Sequence, residues 1–244
     1  GLFGINRGTI SNVIIESGTI EGESQVGAIA GANLGLIEGC SNFADVIGNG
    51  IGIGGIAGTN NGIILQCGNK GSVNNAEGGN FTGGIVGSNM KEVTQCYNAG
   101  DINGGTYVAG IAGNNDGVNN EANINECYNI GAIDGFAKGA ICGDNWEGLI
   151  KDTIYASESG ITAFAFDSGD TSDNNKYSTL SDMAIQNTYN WENFDSKWIF
   201  INGYDYPSLI KEYVPLTDVD FSGSPNEVCQ GQEYQFEATF YPSN

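Results

Sequence analysis

The 244-residue chain contains no histidine, four prolines, and eight lysines plus arginines against twenty-nine aspartates plus glutamates. Without imidazole it cannot build a Ser-His-Asp or Cys-His catalytic unit, a histidine metal site or the HExxH helix of a zinc protease. The formal charge of −21 repels phosphate backbones and anionic headgroups, which argues against nucleic-acid and membrane-surface partners. No apolar run reaches the length of about eighteen residues that a membrane helix needs. What is abundant is glycine, 39 residues, and asparagine, 30 residues. Collagen is excluded because no G-X-Y period exists, and 40% hydrophobic residues argue against disorder. The length suits one large domain or two modest ones. Gly1 stands directly inside the repeat described next, without Met or signal peptide, so the chain reads as a piece of something longer.

A G-x-N tripeptide recurs at Gly4-Ile5-Asn6, Gly31-Ala32-Asn33, Gly58-Thr59-Asn60, Gly87-Ser88-Asn89, Gly113-Asn114-Asn115 and Gly143-Asp144-Asn145. The steps between these glycines are 27, 27, 29, 26 and 30 residues. An aliphatic stands two residues before each: Leu2, Ile29, Ile56, Ile85, Ile111 and Ile141. Later in the unit come Cys40, Cys67, Cys96 and Cys127, each followed two residues on by Asn42, Asn69, Asn98 or Asn129. Four residues further lie Val46, Val73, Ile102 and Ile133. Each unit holds three short β-type apolar segments between Gly and Asn turns. Helix is a poor reading, since each interior Gly costs about 1 kcal/mol relative to Ala.

This pattern predicts an all-β fold: a parallel, right-handed β-helix or solenoid of about six coils. Like residues then stack coil on coil, about 4.8 Å apart. Aliphatic and cysteine ladders fill the interior. Asparagine ladders occupy corners, bonding amide to amide and tolerating left-handed backbone. A six-bladed propeller is the competing all-β reading, but its blades need about 40–50 residues; leucine-rich repeats match in length but not in leucine. The cysteines read as reduced core thiols, with disulfides between neighbouring coils as the awkward alternative. Cys142 stands where Ala30, Ala57 and Ala112 stand in other coils.

The repeat resembles the GLUG motif of bacterial surface proteins over residues 1–155. The matching stretches are Gly1-Leu2-Phe3-Gly4-Ile5-Asn6-Arg7-Gly8-Thr9-Ile10-Ser11-Asn12, Gly55-Ile56-Ala57-Gly58-Thr59-Asn60-Asn61-Gly62 and Gly84-Ile85-Val86-Gly87-Ser88-Asn89. Met90-Lys91 depart from the pattern, and residues 116–125 carry an insertion. The resemblance implies large secreted or wall-attached bacterial proteins, among them adhesin-like proteins and non-catalytic parts of immunoglobulin A-specific metallopeptidases. It transfers no catalytic motif.

Composition shifts near residue 155, with 34 of the 39 glycines before it and 16 of the 25 aromatics after it. Residues 156–213 contain Phe164, Phe166, Tyr189, Trp191, Phe194, Trp198, Phe200, Tyr204 and Tyr206, which suits an aromatic cap over the open solenoid end. A sugar-binding platform is the rival reading. Leu180 to Gln186 reads as a short helix with Ser181 as N-cap. Residues 214–244 are similar to the opening strands of a bacterial immunoglobulin-like domain, cut short of the about 100 residues such a sandwich takes.

Asp116 and Asp144 lie near equivalent positions in consecutive coils, a candidate carboxyl pair for glycoside hydrolysis. A pectate-lyase-type centre is disfavoured by the single arginine, Arg7, at the edge. Asp167, Asp170 and Asp173 fall every third residue in a polar loop and are candidate calcium ligands, without EF-hand spacing; a solvated turn is the competing explanation. No P-loop is present. The expectation is therefore a non-catalytic, extracellular cell-surface fragment, monomeric, acting as a spacer and adhesin toward a host protein or glycan. No nucleic acid, membrane insertion or cofactor beyond calcium is expected. A polysaccharide-acting enzyme and an accessory region of a surface metallopeptidase are the alternatives.

Overall fold

The computed structural model describes residues 1–76, 78–118, 121–156 and 161–169, with strand placement alone at 176–178, 198–199 and 208–209. The chain divides into two compact units, Gly1–Glu212 and Tyr213–Asn244. The stretch 214–244 expected to open an immunoglobulin-like domain, the helix expected at 180–186, and Asp170 and Asp173 lie outside the described residues.

The first turn runs β1 (Phe3–Asn6), β2 (Thr9–Ser11), β3 (Ile14–Ile15), β4 (Thr19–Glu21) and β5 (Val26–Gly27). β6 (Ala30–Asn33) then returns to lie parallel beside β1, pairing Phe3 with Ala30 and Asn6 with Asn33. The next four turns repeat this, so five parallel sheets of 7, 6, 7, 5 and 5 strands wrap a solenoid of about six turns. Each of the first five coils thus has five short strands rather than three, while among the described residues the sixth has strands only in the first three sheets. The extra two were hidden because the second sheet alternates one inward aliphatic (Ile10, Ile37, Ile64, Val93, Ile124, Ile150) with polar or mixed neighbours, and the fifth sheet sets its single inward aliphatics (Val26, Ile53, Val108) among glycine, threonine and asparagine. Among the described residues there is no helix, hence none long and apolar enough to cross a membrane.

The core forms two columns. One stacks Ile29, Ile56, Ile85, Ile111 and Ile141 with Ile37, Ile64, Val93 and Ile124 and the cysteines. The other stacks Val46, Val73, Ile102 and Ile133 against Val26, Ile53 and Val108. Complete burial of an aliphatic side chain contributes about 1.5–3 kcal/mol, and the period places one at each level of each column. Cys40, Cys67 and Cys96 each donate a backbone N–H to the sulfur of the next cysteine up, at 3.4 Å in every case. The cysteines are therefore aligned, and Cys40, Cys67, Cys96, Cys127 and Cys142 are free thiols.

The asparagines form directional ladders. Asn6, Asn33, Asn60, Asn89 and Asn115 each donate Nδ2–H to Oδ1 of the next asparagine, ending at Asn145, every bond 2.8 Å. Asn42, Asn69 and Asn98 do the same toward Asn129, again at 2.8 Å. Each amide thus satisfies a buried neighbour and is satisfied by another, as burial requires. None of these asparagines has a left-handed backbone, contrary to expectation. That conformation falls instead on Asn12, Gly39, Gln66, Gln95, Glu126 and Asp152, one per coil, with φ between 50° and 61°. This column closes the corner between the second and third sheets, and its Gln66–Gln95–Glu126 stretch is a further ladder with bonds of 2.8 Å.

A second left-handed column, Gln25, Gly52, Phe81 and Tyr107, bulges from the fifth sheet. It explains the G-x-N glycines. A Cβ on Gly87 would lie 2.4 Å from the carbonyl carbon of Gly52, and one on Gly113 would lie 2.4 Å from that of Phe81. Only glycine lets the first sheet approach the bulge so closely. Phe81 and Tyr107 stack with centroids 5.6 Å apart. Each accepts a backbone cost of about 1–2 kcal/mol for its left-handed conformation, which stacking of about 0.5–1.5 kcal/mol offsets in part.

Candidate functional site

Parallel pairing continues past residue 155. Phe164–Asp167 adds a seventh strand to the first sheet, pairing Asp144 with Phe166 and Asn145 with Asp167. Lys176–Ser178 extends the third sheet beside Ile154–Ala156. Trp198–Ile199 pairs antiparallel with Ser208–Leu209; the other aromatics expected to form the cap after Phe166 lie outside the described residues. Phe164 packs against the first core column, while Phe166 is 64% exposed.

Asp167 ends the asparagine ladder. Its Oδ1 accepts Nδ2–H of Asn145 at 2.9 Å and the backbone N–H of Gly169 at 3.1 Å. Because every amide in the column donates in the same direction, the last member needs only to accept, and a carboxylate suffices. Glu126 ends the glutamine ladder for the same reason. One oxygen of the first candidate calcium ligand is thereby committed to the fold. Among the described residues no group of three or more acidic or cysteine side chains is placed to hold a metal ion.

Asp116 and Asp144 do come together. Alternation along the first sheet turns Asn115 and Asn145 inward, leaving Asp144 and Trp146 on the outer face of one strand and Asp116 on that of its neighbour. Asp116 stands directly beside Trp146, and Asp144 directly beside Phe166. Neighbouring strands lie about 4.8 Å apart, and i to i+2 spans about 6.8 Å along a strand. The four side chains therefore occupy one small patch. Partial burial, and then the charge of Asp116, raise the pKa of Asp144 above the ordinary carboxylate value. Oδ1 of Asp116 is shielded from solvent and has no hydrogen-bond donor. Trp146 is 52% exposed; lying just past the last G-x-N, it carried no repeat signal of its own.

Two further concavities among the described residues are shallow. One, about 260 Å³, is lined by Asn61, Ile63, Lys91, Glu92, Glu121 and Asn123 and crossed by a Lys91–Glu121 ion pair of 2.6 Å. Another, about 330 Å³, lies along the first turn between Gly4–Ile5 and Ser24–Gln25. The thiols are buried inside the tube, out of reach of a substrate. Burial raises the pKa of Cys96 and Cys142, and for Cys40 its hydrogen bond with Cys67 comes first and burial second.

No family model matches the chain, and neither the curated proteins nor the solved structures contain a significant match to it.

Proposed function

We propose that this chain is part of an extracellular bacterial surface protein, in which the solenoid is a rigid spacer whose lateral faces bind a host protein or glycan. The carrying observation is the regularity of the stack. Five sheets continue coil after coil on two solid core columns and two buried amide ladders. A tube so filled is stiff and presents extended outer surfaces, and extended surfaces are what solenoid proteins use to bind partners. The likeness of the repeats to GLUG arrays supports the same reading, as does the resemblance of the 214–244 sequence to the opening strands of a bacterial immunoglobulin-like domain, which suits a stalk of tandem modules.

A second reading, a polysaccharide-acting enzyme, is favoured by one observation: the raised pKa of Asp144 beside Asp116, the environment a general acid needs. Incubation of the protein with immobilised mucin and matrix proteins separates the two. Retention on the polymer, with the polymer intact, is the expected result. New reducing ends or unsaturated products, abolished by Asp144→Asn, would establish the enzyme instead. Failure to retain any surface polymer or matrix protein would remove the adhesive reading.

A further inference from the structure

We infer that the outer face of the first sheet at its C-terminal end is a binding site for a neutral glycan, built from Trp146, Phe166, Asp116 and Asp144. This inference rests on the surface-binding reading and gives it a location and a ligand class.

Three observations carry it. The first is exposure: Trp146 and Phe166 stand on adjacent strands, 52% and 64% exposed. On the same face the three coils before them carry small, nearly covered residues: Thr59, Ser88 and Asn114. Each ring stands beside a partly buried carboxyl, Asp116 or Asp144. The second is the unmatched acceptor. Among the described residues Oδ1 of Asp116 receives no hydrogen bond, so the carboxylate keeps an acceptor that, on turning outward, a sugar hydroxyl can fill. The third is charge. A chain of net charge −21, with two carboxyls in the site, rejects uronate, sulfated and sialylated polymers.

A neutral sugar meets all three conditions together. Its C–H face lies on an aromatic ring while its rim hydroxyls donate to carboxylate oxygens. The direct pairings, Asp116 with Trp146 and Asp144 with Phe166, place one acceptor beside each ring, giving two subsites in diagonal array. A basic peptide is the competing occupant, since lysine and arginine also donate and stack on aromatics.

The test is titration of the full chain with neutral hexasaccharides of glucose, mannose, galactose and N-acetylglucosamine, followed by calorimetry and tryptophan fluorescence. At least one is expected to bind, with affinity unchanged between low and high salt. Trp146→Ala, Phe166→Ala and Asp116→Ala should each weaken it about tenfold or more, equivalent to about 1.4 kcal/mol. Because these side chains lie on the outer face, unchanged circular dichroism and melting will show that the loss is local. Absence of binding by all four sugars up to about 10 mM, or binding untouched by the three substitutions, overturns the site. So does preferential, salt-sensitive binding of an oligolysine peptide. Retention on a host polymer that survives all three substitutions would reject this site while leaving the surface-binding reading intact.

Discussion

The one-way polarity of the asparagine ladder makes Asn89→Asp a demanding probe. Asn89 is fully buried. Its Oδ1 accepts Nδ2–H of Asn60 at 2.8 Å and N–H of Lys91 at 3.3 Å, while its Nδ2 donates to Oδ1 of Asn115 at 2.8 Å and to the Lys91 carbonyl at 2.9 Å. Aspartate has the same shape and keeps both acceptances but loses both donations. The Asn115 oxygen, itself fully buried, then faces another oxygen. The Lys91 carbonyl keeps the backbone N–H of Asn123 at 2.7 Å, so the acceptor left unsatisfied is the Asn115 oxygen, which predicts a loss of about 1–3 kcal/mol, with the buried charge adding to it at neutral pH. The reverse exchange at the end of the same ladder, Asp167→Asn, keeps the acceptor for Asn145 and should change stability by less than about 1 kcal/mol. Urea unfolding of the two variants beside the parent measures both. Equal effects, or a harmless Asn89→Asp, would refute the claim that the ladder has a direction.

Further outcomes follow from the packing. Gly87→Ala should destabilise by about 1–3 kcal/mol, because its new methyl meets the Gly52 backbone at 2.4 Å. Gly4→Ala, at the same repeat position with nothing within 4 Å, should be tolerated; thermal melts compare them. Ile85→Ala, at the centre of the first core column, should cost about 2–5 kcal/mol in denaturant titration. The raised pKa of Asp144 means the folded state holds that proton more tightly than the unfolded state. Its contribution is therefore fully present below the ordinary value of 3.8 and lost as pH rises through the higher folded value. Asp144→Asn should accordingly stabilise at pH 7 by less than about 1 kcal/mol, because solvent screens a group this exposed, and the advantage should vanish near pH ~3 in pH-dependent melts. Cys96 and Cys142, both buried with raised pKa, should resist a thiol reagent in the folded protein and react upon unfolding. Their linkage has the same sign, so stability should fall as alkaline pH passes the ordinary thiol value.

What the sequence disclosed was vertical order. A residue returning after 26–31 positions lands above its predecessor, so the Ile, Cys, Val and Asn columns could all be read, and each is continuous in the structure. Horizontal order was less visible. The corners depend on left-handed backbone at Gln66, Gln95, Phe81 and Tyr107, residue types that ordinarily avoid it, and no composition signal marks them. The division of the core into two columns depends on how the chain folds back between Val46 and Ile53, which periodicity does not encode. The strand at Phe164–Asp167 was hidden because Asp167 follows Asn145 by only 22 residues and stands where the repeat has Asn. Asp116 and Asp144 were legible as a pair from repeat spacing. Trp146 and Phe166 joined them only once strand register placed all four on one face.

The central claim is that successive coils stack in register along one axis, and an electron spin–spin distance series measures this most directly. Ser11, Glu38, Leu65, Thr94, Asn125 and Lys151 share one column of the second sheet. Cysteine-linked spin labels at position 11 paired with each of the last three should give distances rising in equal steps, from about 14 to about 19 and about 24 Å. Distances that fail to rise by about one strand spacing per coil would contradict the stacked solenoid and every inference built on its columns.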